Sequence, residues 1–213
     1  MPIEALPAGS HAWYERLVVR DPAAVALALH AGRAVTVILR GTRRTPEMVL
    51  RHEIDLADPW ITESRHPYHQ ALGPRSPEGE RARRRGCQAA RNSAQRAVRN
   101  LVSDMKSHGF EPHAGAIVVP SIADPVHINA GAHAKAHAEE AKLYRQVVED
   151  TLTTRGISVT IFLDAKLRGD AVKRLPKQAS IDAMLKTFSR AVGTPWRAPE
   201  KHASLAAWLV LPR

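Results

Sequence analysis

Two stretches near the start of the chain carry strand patterns. Residues 34–40, AVTVILR, are β-branched and almost continuously apolar, as in a strand buried on both faces. Residues 48–56, MVLRHEIDL, alternate apolar and polar positions and predict a second strand, antiparallel to the first. Before them, residues 1–20 read as an irregular start with a short amphipathic piece anchored by Trp13, Tyr14, Leu17 and Val18. Asp21-Pro22 has the form of an N-cap followed by proline at the first helical position. The alanine- and leucine-rich AAVALALHA therefore predicts a helix ending near Gly32.

The second half switches to helical periodicity. Over residues 80–108, Cys87, Ala90, Ala94, Val98, Leu101 and Met105 recur at three- and four-residue steps and form one apolar stripe, closed by Gly109. A short buried strand is expected at 114–120, then a loop and a long helix from about 131 to 155. The clearest strand in the chain follows at 157–163, ISVTIFL. The basic, breaker-rich residues 164–179 predict a surface loop holding one helical turn. Ser180 caps a helix over 181–192, and Pro199-Glu200 open a last one carrying Leu205, Trp208 and Leu209.

These elements predict a single α/β domain over residues 1–213. Its mixed sheet has an N-terminal antiparallel hairpin, then parallel α-β-α-β units and C-terminal helices. The order resembles the ribonuclease H-like architecture, in which a hairpin precedes α-β-α-β elements. The resemblance is one of topology and covers roughly residues 34–212. It implies an aspartate on the first strand for nuclease activity, and AVTVILR has none.

One segment interrupts this plan. Residues 57–79 hold four prolines, little periodicity, and Trp60, His66, Tyr68 and His69. Such an arm is expected to pack back through its aromatics on the side of the sheet that carries the 131–155 helix, bringing His66 or His69 toward His133.

Composition narrows the class. A 213-residue chain with 44% hydrophobic and 24% charged residues is globular, and long enough to bury a core without staples. The single Cys87 excludes a disulfide framework and a four-cysteine zinc site. The N-terminus lacks the pattern of a secretory signal and no apolar run is long enough to span a bilayer, so a cytoplasmic protein with no membrane partner is expected. The formal net charge of +10 makes nucleic acid the default partner. Arg81, Arg83, Arg84, Arg85 and Arg91, dense at the start of the 80–108 helix and off its apolar stripe, are the candidate phosphate contacts. Their substitution is expected to leave the fold intact. The alternative is a solvated basic face.

The candidate chemistry lies on the 131–155 helix. His133, His137, Glu140, Tyr144, Val147 and Thr151 share one stripe, so two histidines and a carboxylate occupy positions where a core face carries leucine or valine. Their side chains are expected to point inward or into a cleft. His133 and His137, four residues apart, can reach one metal ion, with Glu140 one step further and His127 or Asp124 able to approach from the preceding loop. This set suits a divalent ion such as Zn²⁺, Mn²⁺ or Mg²⁺, with His137 and Glu140 as candidate catalytic groups. The other outcome is a hydrogen-bonded network without metal. A second acidic pair, Glu53 and Asp55, stands on one face of the second strand and is a candidate Mg²⁺ site for phosphodiester chemistry, against a charged hairpin face as the plain alternative. HExxH, the PCxxC half of the zinc deaminase signature, GxxxxGK[ST], GxGxxG and GxSxG are absent.

Three functional readings follow. The first is a nucleic-acid-contacting protein with a metal-assisted hydrolytic, nuclease-like site. The second is a non-enzymatic structural or interaction protein, in which the polar stripe is a buried network or a contact between copies of the chain in a homo-oligomer. The third is a small-molecule enzyme whose anionic substrate accounts for the arginines.

Overall fold

The computed structural model describes residues 21–72, 76–127, 129, 131–176 and 180–213. The amphipathic piece expected in residues 1–20 lies outside them. Five strands form one mixed sheet: β1 (Asp21–His30), β2 (Arg33–Gly41), β3 (Pro46–Asp55), β4 (Phe110–Val119) and β5 (Ser158–Leu163). Their spatial order is β3-β2-β1-β4-β5. β1, β2 and β3 pair antiparallel, whereas β1–β4 and β4–β5 are parallel. The helices are α1 (Pro77–Ser107), α2 (Ala132–Thr153), α3 (Asp164–Arg174), α4 (Ile181–Val192) and α5 (Ala198–Val210). Among the described residues no helix is long and apolar enough to cross a membrane.

The helix expected after Asp21-Pro22 is instead β1, the central strand. Every residue from Ala23 to Leu29 is buried, which no one-sided helix could achieve. Ala24, Ala26 and Ala28 face the cluster formed with α3, α4 and α5, while Ala23, Val25, Leu27 and Leu29 face the cluster formed with α1 and α2. Burial on both faces outweighs a helix propensity of a few tenths of a kcal/mol per residue. The small side chains on one face let α5 lie close, with Ala203, Ala206 and Ala207 in the same cluster. Ala31 and Gly32 then close a two-residue hairpin, Gly32 at φ +70° as the turn demands.

This changes which strand is first. The acid of β1 is Asp21, at its outer end, where its N–H donates to Gly109 O at 3.0 Å and its carboxylate takes Arg40 at 3.1 Å. The inner end of β1 carries His30.

Residues 164–174 also depart from the expected loop. They form α3, because Leu167 and Ala171, four residues apart, bury one stripe with Leu175 against α5. The α1 stripe read from the sequence is buried in full, and Ser180 caps α4 by accepting from Ala183 N at 3.3 Å.

Candidate metal centre

The arm leaves β3, makes two short 3-10 turns at Thr62–Ser64 and Pro67–Ala71, and lies between α1 and α2. Its lock on α1 begins with a glycine. Gly86 is buried inside α1, and a Cβ there would stand 2.7 Å from Glu63 O, so only glycine lets the arm backbone this close. Ser93 Oγ donates to Ala57 O at 3.1 Å, Arg85 pairs with Glu63, and the Arg83 guanidinium lies 5.7 Å from the Tyr68 ring centroid. On the other side, the buried Tyr144 hydroxyl of α2 donates to Ser64 O. Burial raises the Tyr144 pKa and keeps that donor protonated.

These locks seat the histidines of the arm on the polar end of α2. Glu140 is 2% exposed and accepts from every side of the arm. His69 Nδ1 lies 2.7 Å from its Oε1, His66 Nδ1 lies 3.0 Å from its Oε2, and the backbone N–H groups of Tyr68 and His69 donate at 3.2 and 3.4 Å. A carboxylate accepting from two Nδ1 atoms holds each ring in the tautomer that leaves Nε2 its lone pair.

His137 Nδ1 approaches Glu140 Oε2 at 3.8 Å, and its Nε2 lies 3.1 Å from His133 Nε2. The rings of His69, His133 and His137 have centroids 4.4 to 4.8 Å apart. Burial first, then the neighbouring His69 and His133, lower the His137 pKa from its ordinary 6.5, which favours the neutral, metal-binding form.

One donor atom from each of His66, His69, His137 and Glu140 lies within 4.8 Å of the others. Tetrahedral zinc with Zn–N near 2.0 Å separates its donors by about 3.3 Å. The 3.1 Å approach of His133 and His137 matches that spacing. Imidazole-rich sets suit zinc better than magnesium or manganese.

The structure distributes the expected site residues unevenly. His137 and Glu140 meet, joined by His66 and His69 of the arm, which were not assigned as ligands but were expected to approach His133, as the His69 ring does; His133 itself lies beside this group, its Nε2 3.1 Å from that of His137. Of the groups expected to point inward or into a cleft, Glu140 and Tyr144 are buried and His137 lines the crevice beside them. His133 and His137 are exposed, because they sit on the first two turns of α2, above the core. His127 is exposed, and Asp124 takes Lys142 at 3.2 Å; neither belongs to the cluster. Glu53 and Asp55 stand on the exposed edge strand β3, paired with Arg33 at 3.3 Å and Arg65 at 3.5 Å. Arg81 and Arg83 pair with Glu78 and Glu80 of their own helix, while Arg84 and Arg91 are exposed and form no ion pair among the described residues.

Beside the cluster lies a crevice of about 220 Å³, lined by Leu29, His30, Val119, Pro120, His137, Glu140 and Tyr144. It opens at the carboxyl ends of β1 and β4, where the strand order reverses, the usual ligand position in open α/β sheets.

No family model matches the chain, and no curated protein matches it. Two solved structures of Thermus thermophilus RuvC are similar. One, in complex with a Holliday junction substrate, has a TM-score of 0.51 at 9% identity over 88% of this chain and 90% of that one. The other has a TM-score of 0.50 at 9% identity, over 88% and 92%. At this identity the likeness establishes the fold alone: a ribonuclease H-like α/β protein with strand order 3-2-1-4-5.

Proposed function

We propose that this protein is a metal-dependent hydrolase acting on phosphodiester bonds of nucleic acid, with its ion held among His66, His69, His137 and Glu140 and with His133 at the rim. The observation that carries the reading is Glu140, a carboxylate buried to 2% exposure beneath four histidines and beside an open crevice. Glu140 acts as the shared acceptor that aims the His66 and His69 rings. His137, half exposed at the mouth, is the group nearest to entering substrate. An ion there would supply Lewis acidity to a phosphoryl oxygen and lower the pKa of an attacking water. The net charge of +10 and the likeness in fold to RuvC, solved with a Holliday junction substrate, support nucleic acid as the partner class.

The test begins with metal stoichiometry after chelation and reloading with zinc, followed by hydrolysis assays on labelled DNA and RNA. The parent is expected to hold one ion per chain. His137→Ala should lose activity with little change in melting temperature, because the ring is exposed. Glu140→Gln should keep the ion with about 10- to 100-fold weaker affinity, as loss of an orienting partner does. A chain that retains no zinc overturns the reading.

One observation favours a second reading. The Glu140 carboxylate already has donors at both oxygens without any ion, so the cluster also reads as a network that locks the arm to α2. Melts with and without zinc separate the two: binding to the folded state alone raises the melting temperature.

A further inference from the structure

At the opposite end of the sheet, the β2–β3 turn, the last turn of α3 and the end of the chain enclose a pocket of about 530 Å³. Its lining is Arg43, Arg44, Lys173, Arg174, Leu175, Pro176 and Arg213. Five of these seven residues have cationic side chains and none has an acidic one. Among the described residues none of the five enters an ion pair, unlike Arg81, Arg83 and Arg85 of α1, each of which has a glutamate.

Lys173 and Arg174 have a plain reason to be where they are, since cations at a helix C-terminus complement its dipole. That reason does not extend to Arg43, Arg44 and Arg213, which add like charge to the same pocket. The Arg43 pKa is lowered by burial first and by the like charges of Arg174 and Arg213 next.

Two of the cations are also held in place. Arg43 Nε donates to Leu211 O at 2.9 Å, its backbone N donates to Pro212 O at 2.8 Å, and its carbonyl accepts from Nε1 of the fully buried Trp208 at 2.9 Å. Arg174 lies 5.5 Å from the ring centroid of the buried Phe162. The turn bearing Arg44 is closed by Thr45 N donating to Thr42 O at 3.1 Å and by the paired Thr42 and Thr45 hydroxyls. Fixed guanidinium groups lose little entropy on binding, and their planar forks match phosphate oxygens.

We propose that this pocket is a phosphate site that takes two or more adjacent phosphate groups of a nucleic-acid backbone. The phosphate chemistry rests on the pocket itself. Only the choice of nucleic acid as its source rests on the proposed function. The site stands at the start of β1 and the end of β2, so it is separate from the histidine cluster at the far end of the same strands. It anchors substrate and takes no part in chemistry.

The experiment measures anisotropy of labelled single-stranded and duplex oligonucleotides over a salt series. It uses the full-length parent, R44E/K173E in the pocket and R84E/R91E on α1. All four substituted residues are exposed, and circular dichroism melts check that each variant folds. R44E/K173E should weaken binding about ten-fold or more and reduce the salt slope by about two, a larger loss than that of R84E/R91E, which reverses the same charge at the candidate contacts of α1. Loss of binding in R84E/R91E alone overturns the pocket and leaves the nucleic-acid reading standing. A parent that ignores oligonucleotides but binds pyrophosphate, with that binding lost in R44E/K173E, keeps the pocket and removes nucleic acid as its source. Parent-like binding of both probes by R44E/K173E, or binding of neither by the parent, overturns the proposal.

Discussion

Glu140 is the acceptor for four donors from the arm, so alanine in its place takes the partner from the Tyr68 N–H and from two imidazole N–H groups, while the His69 N–H keeps His66 O at 3.2 Å. We expect Glu140→Ala to destabilise the fold by about 3 kcal/mol in urea melts, given about 1–3 kcal/mol for an orphaned buried group. Nearby, burial first, with Cys87 and Glu139 next, pushes the Tyr68 phenol from 10.0 up to about 12. Between those values the unfolded chain has lost a proton that the folded chain keeps. Stability therefore falls as pH rises through that window. Tyr68→Phe should flatten the alkaline part of a melting-temperature profile; an unchanged slope would put the titration elsewhere.

At the scale of elements, the arm and α1 depend on each other through Gly86. Alanine at an exposed helical position would gain about 1 kcal/mol over glycine. Here the added Cβ would meet Glu63 O at 2.7 Å, so Gly86→Ala should instead destabilise by about 1–3 kcal/mol. Limited proteolysis should then cut the arm faster, and zinc should bind more weakly, because His66 and His69 ride on that segment. Arg83 and Arg85 belong to the same lock. Their contacts with the arm lead us to expect that their removal loosens it, although they lie off the apolar stripe. Arg83→Ala with Arg85→Ala should lower the melting temperature, whereas Arg84→Ala should not. A glycine between RRR and CQAA, inside an otherwise unbroken helical pattern, was the signal of this close approach.

For the whole molecule, ends of the sheet matter more than faces. The parallel strands β1, β4 and β5 point their carboxyl ends toward the histidine cluster, and β2 runs back toward the basic pocket. The positive charge is accordingly not one patch. On α1 part of it is matched by Glu63, Glu78 and Glu80, and at the far end it stands unmatched. Zinc should raise the melting temperature of the parent and leave that of His133→Ala with His137→Ala unmoved. An equal rise in both would place the ion outside the cluster.

Periodicity was enough to determine β2 to β5, α1, α2, α4 and α5, because each presents one pattern to one environment. The same residues brought His133, His137 and Glu140 onto one helix stripe by spacing alone. Two elements were decided only by tertiary contacts. β1 has the composition of a helix and becomes a strand because it lies between β2 and β4 with layers above and below. α3 has only Leu167 and Ala171 to bury, and that stripe acquires meaning only when α5 covers it. The cluster was likewise half legible. Local sequence places two histidines one helical turn apart, but His66 and Glu140 are 74 residues apart, and their meeting depends on an arm that closes around Gly86 and Tyr144. The histidines and aromatics of the arm pointed to an approach to His133, but the convergence of both its histidines on Glu140 is set by the packed backbone.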